Sequence, residues 1–184
     1  MTDDMKLERK VEVVPHDDLW AAKFDLEEDR LRNLLGDLIV NVHHIGSTAI
    51  PGIVAKPIVD ILVEVKNLDN VNQFNPGMKQ LGYIAKGEFG IAGRRFFIKG
   101  TELDRTHHVH IYEVGDVEVA RHINFRDYLM LHPNVAVEYS HLKEKLAEKY
   151  PNDIDAYMHE KNKFIENIEM QIIIWKKNIE KDLF

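Results

Sequence analysis

HHIGSTAIPGIVAKPIVDILVEV, residues 43–65, is the stretch whose reading decides the fold. It reads as a strand, a tight turn at Gly46 and Ser47, a short loop, and a second strand carrying a carboxylate, Asp60. Gly46 lets the backbone turn where a side chain would clash. Ser47 and Thr48 can cap a short helical turn, leaving N–H groups free for whatever sits in front of them, most often a phosphate. Asp60 interrupts the apolar run PIVDILV at 57–63. A carboxylate in such a strand must face a cleft, a cation or water, because burying it unpaired is too costly.

Working outward, 12–14 reads as a short strand ended by Pro15, after a polar start at 1–8 that is expected to fray. Asp17 or Asp18 caps a helix running to Leu35, with Trp20, Phe24, Leu31, Leu34 and Leu35 on one face and Gly36 as its stop. Strands follow at 38–45 and 57–65. Pro76 divides the segment 67–81, so a turn precedes a short helix with Asn75 as cap and Pro76 at its first position. Residues 83–86, 95–99 and 107–113 read as three short strands. From 117 the pattern is helical, over 117–131, 134–149 and 152–177. The last of these carries the stripe Ile154, Met158, Phe164, Ile165, Ile168, Ile172 and Trp175. This order predicts an α/β (α+β) fold, a mixed sheet flanked by helices with a helical C-terminal part at 117–177, in one domain over 1–184.

Composition narrows the function. The 184 residues suffice for a substantial core. A net charge of −7 argues against a general nucleic-acid surface, so a phosphate ligand needs a local basic pocket. The absence of cysteine excludes disulfides, thiolate metal sites and a Cys nucleophile. No apolar run approaches the ~18 residues of a membrane span. The start MTDDMKLERK lacks a signal-peptide core, which makes a cytoplasmic location the expectation.

The runs HIGSTAIPG and AKPIVDI, with HHVHIYE at 107–113 and NFRDYL at 124–129, resemble the signature of the GrpB family of small bacterial proteins. The resemblance extends over 11–177. That family is usually placed in the nucleotidyltransferase superfamily, whose hallmark is a Gly-Ser pair followed by an Asp-x-Asp/Glu strand. The resemblance implies a nucleotidyltransferase-like sheet, a nucleotide or other phosphorylated small molecule as ligand, and metal-dependent nucleotidyl transfer by in-line attack on the α-phosphate. On it, Gly46, Ser47, Thr48 and Lys56 hold phosphate and Asp60 holds a divalent ion (Mg²⁺, Mn²⁺ or Zn²⁺). Catalysis falls to Asp60, Ser47 and His44. Some members are joined to a dephospho-CoA kinase, but this sequence has no GxxxxGK[ST] loop.

The sequence departs from the hallmark at one place. The position two residues after Asp60, about 6.7 Å along the same face, is Leu62. Glu64 is on that face too, but roughly 13 Å from Asp60 by the same rise, too far to share an ion. Alternation in the later strand puts His108, His110 and Tyr112 on one face, and His-x-His is a chelating spacing. These residues predict a single-metal site of Asp60, His108 and His110, with His44 as fourth ligand or general base. The alternative is that the histidines hydrogen-bond phosphate or backbone without metal. Arg94, Arg95 and Lys99 on one hairpin, and Arg105 on the loop before the histidine strand, are candidates for the basic pocket beside Lys56, with Arg95 and Arg105 as phosphate partners. Arg126 either reaches the cleft or pairs with Asp127, the second being favoured. A catalytically degenerate ligand- or protein-binding module and a histidine-based phosphohydrolase are the rival functions. The apolar run 170–175 leaves a dimer face open.

Overall fold

The computed structural model describes residues 10–182, and the polar start at 1–8 lies outside them. Its strands are β1 (Ile39–Ile45), β2 (Val59–Val65), β3 (Tyr83–Ala85), β4 (Arg95–Gly100) and β5 (Arg105–Glu113). Its helices are α1 (Leu19–Leu35), α2 (Asn75–Gln80), α3 (Val117–Leu131), α4 (Pro133–Lys149) and α5 (Ile154–Asp182). The strands form one mixed sheet in the order β1-β2-β5-β4-β3. β2 and β5 pair in parallel, and every other pair is antiparallel. The fold is the mixed α+β arrangement that the alternation of elements predicts, with its helical part last.

Period-two alternation gives the sheet two different faces. On one, Val59, Ile61 and Val63 of β2 and Val109 and Ile111 of β5 pack with Trp20, Leu31 and Leu35 of α1. On the other, Asp60, Leu62 and Glu64 lie beside His108, His110 and Tyr112, because Asp60 pairs with His108 and Leu62 with His110. The far end of this second face is closed by α3, where Ile45, Leu62, Tyr112 and Val119 form an apolar plug. Helices α3, α4 and α5 share their own core of Leu129, Ala136, Tyr139, Ile168 and Ile172, together with Ile50 and Ile53 from the loop between β1 and β2. Near Asp60 the face is left open.

The differences from the expected elements have local causes. The strand at 12–14 is a single bridge from Val14 to Ala55, since Pro15 has no N–H to continue a ladder. β5 begins at Arg105, so this residue stands on the strand instead of the preceding loop. Ser47 and Thr48 lie within a 3₁₀ turn, Ser47–Ala49, and cap nothing. Met170, Ile173 and Ile174 of the apolar run on α5 point outward. Among the described residues no helix is long and apolar enough to cross a membrane.

One buried charge ties α1 to the sheet edge. Glu27 is buried and accepts hydrogen bonds from the Tyr83 hydroxyl at 2.8 Å and the Lys99 ammonium at 2.7 Å. Burial works against its carboxylate, and the bonds from Lys99 and Tyr83 more than offset that, holding the carboxyl below its usual range. Tyr83→Phe should lower unfolding free energy by about 1–2 kcal/mol, because a charged acceptor loses one donor. Chemical denaturation checks this, and an unchanged midpoint would mean that Lys99 and Arg30, which also donates to Glu27, satisfy the carboxylate without the hydroxyl.

Candidate functional site

The open end of the second sheet face is the floor of a cavity of about 1150 Å³, walled by α4, α5 and the turn after β1. Asp60, His108 and His110 meet on that floor. Asp60 Oδ1 lies 3.0 Å from His108 Nδ1 and 3.6 Å from His110 Nε2. One ligating atom from each of the three falls within 4.8 Å of the others. Burial pushes the Asp60 carboxyl up, but hydrogen bonds from both histidines outweigh it and hold the group well below the carboxylate range. Burial also lowers the His110 pKa, against the pull of Asp60.

The Gly46–Ser47 turn touches this floor. Gly46 has φ +71° and ψ −172°, and a Cβ there would stand 2.7 Å from Asp60 Oδ2. Glycine therefore serves two needs: a backbone conformation that side chains rarely adopt, and close approach to the carboxylate. Arg126 donates from Nη1 to the His44 carbonyl at 2.9 Å and pairs with Asp127, so α3 pins the strand that leads into the turn.

The structure brings together Gly46, Ser47, Thr48, Lys56, Asp60, Arg105, His108 and His110 around one cavity. It does not bring His44 or Arg95 there. His44 pairs with Ile61 across β1 and β2, and so faces α1. Its ring stacks on Phe24 at 4.9 Å and its Nε2 lies 2.9 Å from Thr48 Oγ1. The expectation of His44 as fourth ligand or base is corrected by this placement. Arg95, one residue out of phase with Phe96, turns to the α1 side and bonds Asn72 at 2.9 Å and Asp69 at 3.4 Å. Its neighbour Arg94 takes the inward position instead. Glu64 pairs with His43 at 2.7 Å, away from Asp60.

Three contributors were not legible as site residues. Lys143 of α4 is 2 % exposed. Its Nζ donates to Ser47 Oγ at 2.9 Å and to the Val54 carbonyl, and lies over the Tyr139 ring. Lys161 of α5 lines the same cavity, and so does His122 of α3, whose Nε2 is buried without a hydrogen-bond partner. Burial lowers the His122 pKa to about 4. These helical positions have no motif in the chain; only the inward phase of α4 marks Lys143, and lysine in that phase reads equally as a snorkelling surface residue.

Burial, with repulsion from Lys161, pushes the Lys143 ammonium down to about 7 from 10.5. The unfolded chain then keeps its proton over a range where the folded protein has released it, so stability rises with pH between those values and falls as pH drops towards 7. Lys143→Met should flatten that rise in unfolding free energy between pH 7 and 10. Parallel wild-type and variant curves would show that the lysine keeps its proton on folding.

A family model described as GrpB protein matches residues 10–171. UPF0157 protein YqkA of Bacillus subtilis is 49% identical over 169 residues, 92% of this chain and 49% of YqkA, so the chain spans about half of that relative. Glutamate-rich protein GrpB of Alkalihalophilus pseudofirmus is 42% identical over 163 residues, covering 86% of this chain and 94% of the relative. The crystal structure of conserved protein GrpB from Enterococcus faecalis superposes with a TM-score of 0.86 at 39% identity, over 90% of this chain and 99% of that one.

Proposed function

The chain belongs to the GrpB family, and from that premise we propose that its cleft binds a divalent metal ion and a phosphorylated small molecule of the nucleotide class, and that its reaction is nucleotidyl transfer. The observation that carries this reading is the meeting of Asp60, His108 and His110 beside the Gly46–Ser47 turn in one cation-lined cavity. The donor set fits an ion: one carboxylate and two imidazoles converge, a combination that suits Zn²⁺ or Mn²⁺ better than Mg²⁺. Asp60, His108 and His110 would hold it, and when bound it supplies charge neutralisation at phosphate oxygens.

The chain's own residues divide the remaining work. Ser47, with Lys143 behind it, presents a hydroxyl to a phosphate oxygen. Lys56 and Arg105 add charge along the cavity wall. Gly46 keeps the carboxylate and the turn in contact, so that phosphate and ion sites adjoin.

A second reading draws on Leu62. It is 0 % exposed, packed with Ile45, Tyr112 and Val119, where the superfamily hallmark has an acid. That supports a family member that binds its ligand without turning it over. Calorimetric titration with Zn²⁺, Mn²⁺ and Mg²⁺, followed by a nucleoside triphosphate screen for pyrophosphate release, separates the readings. The expected result is tighter binding of Zn²⁺ or Mn²⁺ than Mg²⁺ and pyrophosphate release with Mn²⁺. Nucleotide binding without release favours the second reading, inorganic phosphate release points to a phosphohydrolase, and no metal binding overturns the metal site.

A further inference from the structure

We infer that Arg94 couples the metal site to anion binding, by exchanging His110 for the anion as its hydrogen-bond partner. This rests on the metal and phosphate sites proposed above and adds a residue and an order to them.

Arg94 sits immediately ahead of β4 and is 5 % exposed. Its Nε donates to the Glu88 carbonyl at 3.2 Å and its Nη2 to the Phe89 carbonyl at 2.9 Å, while the guanidinium stacks over Phe96 at 4.6 Å. Among the described residues it forms no ion pair with a carboxylate. The remaining nitrogen, Nη1, lies 3.4 Å from His110 Nδ1 at the cavity wall. A buried guanidinium with two neutral carbonyl acceptors, the Tyr112 hydroxyl close by and the Glu118 carboxylate acting only from outside ion-pair distance is a strong donor with capacity for an anion.

The histidine decides when that donor is free. A guanidinium only donates, so His110 Nδ1 accepts, and the neutral ring then carries its proton on Nε2, towards Asp60. Ligation of an ion through Nε2 needs the lone pair there, which puts the proton on Nδ1. Two donors would then face each other at the Arg94 contact. Since Nε and Nη2 are held by the hairpin carbonyls, the planar fork keeps Nη1 in place at the cavity wall, and its N–H, having lost His110 as acceptor, is left for an anion entering from the cavity. There it supplies positive charge on the side where Leu62 rules out a second carboxylate-held ion. Metal binding therefore raises anion affinity, and by linkage the anion raises metal affinity by the same factor.

The test uses Zn²⁺ as the metal and sulfate as the anion probe, on the full chain. Zinc affinity of the wild type, measured by calorimetry, should rise about fivefold or more with saturating sulfate, within the usual range of such couplings. In Arg94→Gln, zinc should bind as tightly as in wild type or tighter without sulfate, and the sulfate effect should fall below about twofold. ¹⁵N-histidine NMR of the wild type should show the His110 proton on Nε2 without zinc and on Nδ1 with it, an outcome independent of whether the variant folds. No sulfate effect in wild type, an equal effect in Arg94→Gln, or zinc bound with the His110 proton still on Nε2 overturns the inference while leaving the metal site standing. Failure of zinc to bind the wild type overturns the metal site and the inference together.

Discussion

Asp60→Asn should abolish measurable binding of Zn²⁺ or Mn²⁺ and reduce pyrophosphate release to background. The carboxylate is the shared acceptor of His108 and His110 and the one anionic member of the three-residue cluster. An amide keeps the shape but removes the charge that repays desolvation of a cation, and its N–H₂ group must face either the imidazole pair that meets Oδ1 or the Gly46 turn beside Oδ2. Loss of even an outer-shell partner typically weakens metal binding 10–100-fold, so removal of the charged ligand should weaken it by about a hundredfold or more. Calorimetry with the folded variant measures this directly. Zinc affinity within a few-fold of wild type would place the ion elsewhere.

Gly46→Ala should combine loss of stability with loss of metal affinity. The backbone at φ +71° and ψ −172° lies in a region that only glycine visits freely, and holding alanine there costs about 1–3 kcal/mol. The added Cβ would also meet Asp60 Oδ2 at 2.7 Å, so either the turn opens or the carboxylate swings away from the histidines. A chain of this size loses about 2–4 °C in Tm per kcal/mol, which gives a fall of roughly 5 °C or more once the clash is added. Thermal unfolding and a zinc titration on the same sample test both halves. A variant that melts within 1 °C of wild type and binds zinc normally would mean that the turn and the carboxylate are not in contact.

The fold was legible because its signals are local and repeated. Alternation in 107–113 put His108 and His110 on one face without any knowledge of the neighbouring strand, and Pro76 and Gly36 marked the helix boundaries. The parallel pairing of β2 with β5 brought Asp60 to those histidines, as the proposed cluster required. What failed was phase near strand ends. His44 is adjacent to the turn in sequence, yet an odd step from Ile45 sends it to the α1 face. Arg94 and Arg95 are exchanged for the same reason. Lys143 could not have been found by pattern, because the helix that carries it reaches Ser47 only through tertiary packing.

The parallel seam between β2 and β5 also bears on how the molecule is made. The two strands that supply the acid and the imidazoles are separated by the chain from Lys66 to Asp104, so the acid leaves the ribosome well before its partners exist. Until then β2 has β1 on one side and a bare, strongly apolar edge on the other, of the kind that recruits foreign strands. Closure of that seam is a long-range event and a slow one by topology. A nascent chain that stalls before Glu113 would be a candidate for chaperone capture, and acquisition of zinc would report that the last strand has slotted home.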